Sequence, residues 1–158
     1  MKRLITLLFL FSLTATAQII PKEAIKPLAI KSGIMMLSGA CDATAEVCRI
    51  NYSYFNAVFP NANPQFWDAK QSQGNMWKDG NSKNGEKFFL SSTALAWTTD
   101  GYHLMRTMRN VTMITAIVIP INGGKKKNWK QYAAEGLIYY CSYTGGFTLM
   151  YNGIFKMP

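Results

Sequence analysis

The sequence predicts an all-α fold: three long helices forming a small bundle, or a helical hairpin with a further helix against it. Three observations carry this reading. Apolar residues recur at alternating spacings of four and three from Leu37 to Phe59. The run from Tyr132 to Phe155 holds a single charge, Glu135. Finally, Pro60, Pro120 and the Gly123-Gly124 pair fall where periodic segments end, as helix terminators should.

The first element in chain order is not expected to belong to the fold. Lys2 and Arg3 precede an apolar run from Leu4 to Leu13, followed by small residues ending Ala15-Thr16-Ala17. This is the order of a secretory signal peptide, with cleavage expected after Ala17 and export through the Sec pathway. The apolar run is about ten residues, half of what a spanning helix requires. Residues 18–158 are then read as one helical domain, and residues 18–30, with Pro21 and Pro27, as an extended lead-in.

The first long helix is placed at 32–59. Leu37, Cys41, Ala45, Cys48, Tyr52, Phe55 and Phe59 form one stripe at helical spacing, and Pro60 stops it. A loop at 60–90 follows, dense in Asn, Gly, Gln and Lys and without sustained period. Loops of this length are uncommon in compact domains and are functional or mobile. Phe66, Trp67, Met76 and Trp77 suggest that it is pinned to the body of the protein or grips a ligand. The second long helix is placed at 91–119, with Ser91 or Ser92 as N-cap, and the third at 131–155.

Composition narrows the setting. The chain has 17 Lys and Arg against 8 Asp and Glu; without Lys2 and Arg3 the count is 15 against 8, a net charge of +7. A basic exported protein faces anionic lipid or another envelope protein, and export argues against nucleic acid. Three cysteines, Cys41, Cys48 and Cys141, are an odd number for an oxidising compartment. Cys41 and Cys48 lie about 10 Å apart along a helix, beyond disulfide reach. Three small buried thiols are the expectation, with pairing of Cys141 to either one as the alternative.

Two regions carry candidate chemistry. Lys125, Lys126, Lys127 and Lys130 surround Trp129 in the turn between the last two helices. Each lysine near an anionic membrane contributes on the order of 1 kcal/mol, and tryptophan prefers the headgroup level. The third helix is long enough to span a bilayer but weakly hydrophobic at Ser142-Tyr143-Thr144, while the second has only about twelve apolar residues after Asn110, short for a span. If anything spans, the hairpin of the second and third helices does, with the basic turn on the cytoplasmic side.

The other region is polar. Asp42, Glu46, Arg49 and Ser53 follow one another on the first helix, Asp100 and His103 sit one turn apart on the second, and Glu135 adds a carboxylate from the third. Convergence of Asp42, Glu46, Asp100, His103 and Glu135 would build an oxygen-rich site for Mg²⁺, Mn²⁺ or Ca²⁺, with Asp100, His103 and Glu46 as catalytic candidates. With one histidine in the chain, zinc and di-iron sites lack their ligands. The plainer expectation is a solvated face of ion pairs at spacings of three and four; a buried structural network stands between the two.

These readings favour a small exported, membrane-associated envelope protein with a structural or binding role. The alternatives are a divalent-metal-dependent hydrolase and a soluble periplasmic binding module.

Overall fold

A computed structural model describes residues 20–120 and 126–157. The protein is all-α, and the described residues contain no strand beyond one isolated antiparallel bridge, Trp77 to Glu86. The expected signal peptide, residues 1–17, and Lys125 lie outside the described residues.

Helix α1 spans Lys22–Ile50, so it begins ten residues before the predicted start and absorbs the supposed extended lead-in. Pro21 stands at its N-cap, and Pro27 lies inside it, close enough to the start that only the carbonyl of exposed Glu23 loses a backbone donor. The buried positions explain the extension. Ala24, Leu28, Lys31, Met35 and Ser38 continue the three-and-four spacing of Cys41, Ala45 and Cys48 back through the prolines. Packing overrides a weak local breaker here. At the other end the predicted helix is cut in two. Asn51 leaves helical geometry at φ −152°, and a short helix, α2 (Tyr52–Val58), carries Phe55 into the core.

The segment read as a structureless loop is locally built. Helices α3 (Pro64–Trp67) and α4 (Ala69–Ser72) are N-capped by Asn63 and Asp68, and Asn81 caps a 3₁₀ turn at Ser82–Asn84. The Asn and Asp residues that removed any period from the sequence are the groups that order it.

Helix α5 covers Gly101–Val118, ten residues shorter at its start than predicted. Ser91 and Ser92 do not cap it. Ser91 Oγ donates to the Met76 carbonyl at 2.7 Å, and the Glu86 carboxylate accepts from the Leu90 and Ser92 amides and the Ser92 hydroxyl. Asp100 is the N-cap instead. Helix α6 runs Trp129–Thr148 and continues as a π-helical turn, Leu149–Ile154. Asn128 and Gln131 form a reciprocal capping box at its start.

Both α5 and α6 pack on α1, which is the hub. Lys31 meets Ile119 and Ser38 meets Arg109, so α5 runs antiparallel to α1. Leu28 packs on Ile138, and a Cβ at Gly39 would overlap the backbone of Tyr143, so α6 runs parallel to α1. The crossing is reciprocal, because a Cβ at Gly146 would overlap the Met36 carbonyl. Gly39 and Gly146 thus let the helix backbones touch, while a Cβ at neighbouring Gly145 would meet nothing within 4 Å. Beyond the crossing, Val47, Cys48, Phe55, Phe155 and Met157 close the core.

Cys41 and Cys48 are buried, Cys141 is exposed, and all three are free thiols. Cys141 therefore departs from the expected buried trio. Burial, followed by the charges of Asp68 and Asp100, pushes the Cys48 thiol up to about 12. Since the thiolate is the reactive form, maleimide should modify Cys141 alone in the native protein and all three thiols after denaturation. Mass spectrometry checks this, and triple labelling without denaturant would contradict the packing.

Candidate functional site

The polar residues of the sequence divide into three groups. In the first, α1, α5 and α6 meet at Asp42. Its Oδ1 accepts from Arg109 Nη1 at 2.8 Å, its Oδ2 accepts from the Tyr143 hydroxyl at 2.6 Å, and Arg106 Nη1 stands 3.6 Å away. Arg106 also lies 3.9 Å from Glu46, which Arg49 grips at 2.6 Å. Burial and the bond to Asp42 push the Tyr143 phenol up to about 12, keeping it a donor. Arg49 is exposed and pairs with half-buried Glu46 three residues away, the spacing expected of a face of ion pairs, but Asp42 departs from that face. Its side chain is 16% exposed and ties three helices together. The solvated-face expectation is therefore corrected at Asp42, and the reason lies in Arg109 and Tyr143. Neither was marked by local spacing, since one lies 67 and the other 101 residues away.

The second group is the start of α5. Asp100 is 2% exposed. Its Oδ1 accepts from the His103 amide at 2.8 Å and its Oδ2 lies 2.7 Å from His103 Nδ1, so one carboxylate caps the helix and orients the imidazole. The spacing of three in the sequence is the N-cap-to-N3 spacing. Arg49, Lys70, Ser72 and Tyr102 stand around this pair and line a cavity of about 300 Å³.

The third group lies at the opposite end. Glu135 is buried and pairs with Lys127 at 2.7 Å. Lys31 is also buried, donates to the Ile119 carbonyl at 2.9 Å, and lies over the Tyr139 ring. Burial lowers its ammonium from the ordinary lysine range, and nearby Lys127 lowers it further. Of the basic turn, Lys127 is thus committed to Glu135, whereas Lys126, Trp129 and Lys130 are exposed.

Asp42, Glu46, Asp100, His103 and Glu135 do not converge. Among the described residues no three His, Cys, Asp or Glu side chains come close enough to hold a metal ion together. Each carboxylate instead has its own cationic or histidine partner, and this corrects the shared metal-site expectation. The aromatic segment also divides. Trp67 stacks on Phe55 with ring centroids 5.0 Å apart and, with Phe59, Met105 and Met150, lines an apolar cavity of about 600 Å³. Met76 is buried elsewhere, beneath Ser91.

What the sequence did not mark is the outer surface of one end. The start of α1, the end of α5 and the start of α6 gather there. Ile25, Ile30 and Leu37 on α1, Val111, Ile114 and Val118 on α5, and Tyr132, Leu137 and Tyr140 on α6 face outward. Ile114 is 60% exposed, Val118 72% and Trp129 74%. No charged residue occurs from Asn110 to Ile119 or from Tyr140 to Phe155, and the Lys31 and Glu135 charges point inward. The result is an apolar belt on the outer faces of three helices, flanked at its tip by exposed Lys22, Glu23, Lys26, Lys126 and Lys130 and at its other margin by Arg106, Arg109 and Glu46. No helix among the described residues is long and apolar enough to cross a membrane. The chain matches no protein-family model, and neither the curated proteins nor the solved structures compared with it contain a match.

Proposed function

We propose that the protein is a small exported component of the cell envelope that binds an anionic membrane by dipping its apolar end into one face of the bilayer. In this reading the three long helices form a bundle, the leader is removed after Ala17, and residues 18–158 act as one domain. The apolar belt carries the proposal. Exposed apolar side chains gathered on three neighbouring helices mark an interaction surface, and lysines with a tryptophan at its tip suit a headgroup layer. Because neither α5 nor α6 suffices to span, insertion from one side replaces the spanning hairpin as the favoured geometry. The role is one of binding or scaffolding. With each of these carboxylates engaged by its own cationic or histidine partner, the metal-dependent hydrolase is the less favoured reading.

Flotation with anionic vesicles tests the reading. Wild type should float, and Ile114→Glu with Val118→Glu should not, since two charges would have to enter hydrocarbon. Lys126→Gln with Lys130→Gln should weaken flotation and remove most of its salt dependence. Equal flotation of all three proteins at low and high salt would dispose of the idea.

The cavity beside Trp67 favours a second reading, a module that holds an apolar ligand. Its volume lies in the range of small-molecule sites, and its lining contains no charge. Trp67 emission should shift when the protein is titrated with a fatty alcohol, and an unchanged spectrum counts against this reading.

A further inference from the structure

We propose that the 300 Å³ cavity beside the Asp100–His103 pair binds a tetrahedral oxyanion, a phosphate or phosphate ester, through Arg49, Lys70, Ser72 and His103. The proposal is independent of the apolar end and of the cavity around Trp67.

Ser72 carries the argument furthest. It has no exposed surface, it stands in the cavity wall, and its hydroxyl has no hydrogen-bond partner. A buried hydroxyl without a partner is unfavourable, and a ligand oxygen brought against it from the cavity would supply the missing bond. The neighbouring side chains define the charge of that group. His103 is oriented by Asp100 through Nδ1, leaving Nε2 as the ring nitrogen free to meet a ligand; in the imidazolium form Nε2 is a donor. Arg49 engages Glu46 through Nε and Nη2, which leaves Nη1. Among the described residues, no carboxylate lies within 4.0 Å of the Lys70 ammonium.

Asp100 is the only carboxylate in the cavity lining, and it does not compete for these donors. Its Oδ1 accepts from the His103 amide, and its Oδ2 meets the Thr99 hydroxyl and His103 Nδ1. The side chains available to a ligand come from three elements: Arg49 on α1, Lys70 and Ser72 on α4, and His103 on α5. Groups drawn from three elements around one cavity suit the diverging oxygens of a phosphate better than a planar carboxylate, and charge-assisted bonds to such oxygens are the strong ones.

Calorimetric titration of the full-length protein with inorganic phosphate tests the site. One saturable site is expected, with affinity reduced about tenfold or more by Lys70→Gln and by Ser72→Ala. Ser72→Ala separates a ligand from a trapped water. A serine holding only a water or nothing gives an unchanged phosphate affinity in the alanine variant, whereas a ligating serine gives lower affinity with an equal or higher Tm. Lys70 is exposed, so its variant should fold whatever becomes of Ser72→Ala. Parallel arms with glycerol 3-phosphate and with phosphatidic acid vesicles identify the source. Tighter binding of the soluble ester assigns a free metabolite, and Lys70-dependent vesicle binding assigns a lipid headgroup. No phosphate binding, or binding unaffected by either substitution, would overturn the proposal.

Discussion

Gly146→Ala and Gly39→Ala should each destabilise the protein by about 3 kcal/mol, the upper range for overpacking a closed contact. A Cβ at either glycine would overlap backbone atoms of the facing helix, Met36 for Gly146 and Tyr143 for Gly39. A backbone cannot change rotamer to make room, so α1 and α6 would have to separate along their whole crossing. That separation would also pull Tyr143 from Asp42 and loosen Phe155 from the core. Gly145 is the internal control. Its Cβ would meet nothing within 4 Å, so Gly145→Ala should raise helix propensity and stabilise by up to about 1 kcal/mol. Chemical denaturation of the three variants decides the matter, and similar effects at positions 145 and 146 would contradict the crossing geometry.

Asp42→Ala should cost about 2 to 3 kcal/mol. Removing a partner from a buried ion pair costs about 3 to 5 kcal/mol, and the estimate is lowered here because Arg106 can turn toward water. Arg109 and Tyr143 would lose their acceptor at a junction of three helices. Glu46→Ala should stay within about 1 kcal/mol, because its partner Arg49 is exposed and can turn to water, and pairs of this kind contribute little. Comparable melting of the two variants would mean that Asp42 belongs to an ordinary wet face.

The helices were legible where periodicity and a terminator coincided. Pro120 and the polar turn after it bracketed the end of α5, and the charge-poor run from Gln131 located α6 to within two residues at its start. Errors arose where local signals competed with packing. Pro21 and Pro27 read as a break, yet the buried stripe from Ala24 to Ser38 holds the helix through them. Ser91 and Ser92 had the chemistry of a cap, but Glu86 and the Met76 carbonyl engage them first.

The candidate site was legible only as pieces. The Asp100–His103 pair was written in residues three apart, because capping is local. The partners of Asp42 were not, because contacts between distant helices leave no spacing in the chain. Ser72 and Lys70 were hidden in a segment whose order comes from side-chain caps rather than from a period. The apolar belt was legible only as apolar runs and a candidate spanning hairpin, because an apolar residue that will be buried looks the same in sequence as one left facing outward.

Cys141 provides the most direct test of membrane insertion, since it is the exposed thiol and lies on α6 next to Tyr140 in the belt. An environment-sensitive fluorophore attached there should shift to the blue on addition of anionic vesicles and be quenched by lipids brominated along their chains. The same fluorophore on Lys70→Cys, in a Cys141→Ser background, should remain in water and escape quenching. A label at Cys141 that stays water-exposed and unquenched on vesicles that bind the protein would contradict insertion of the apolar end.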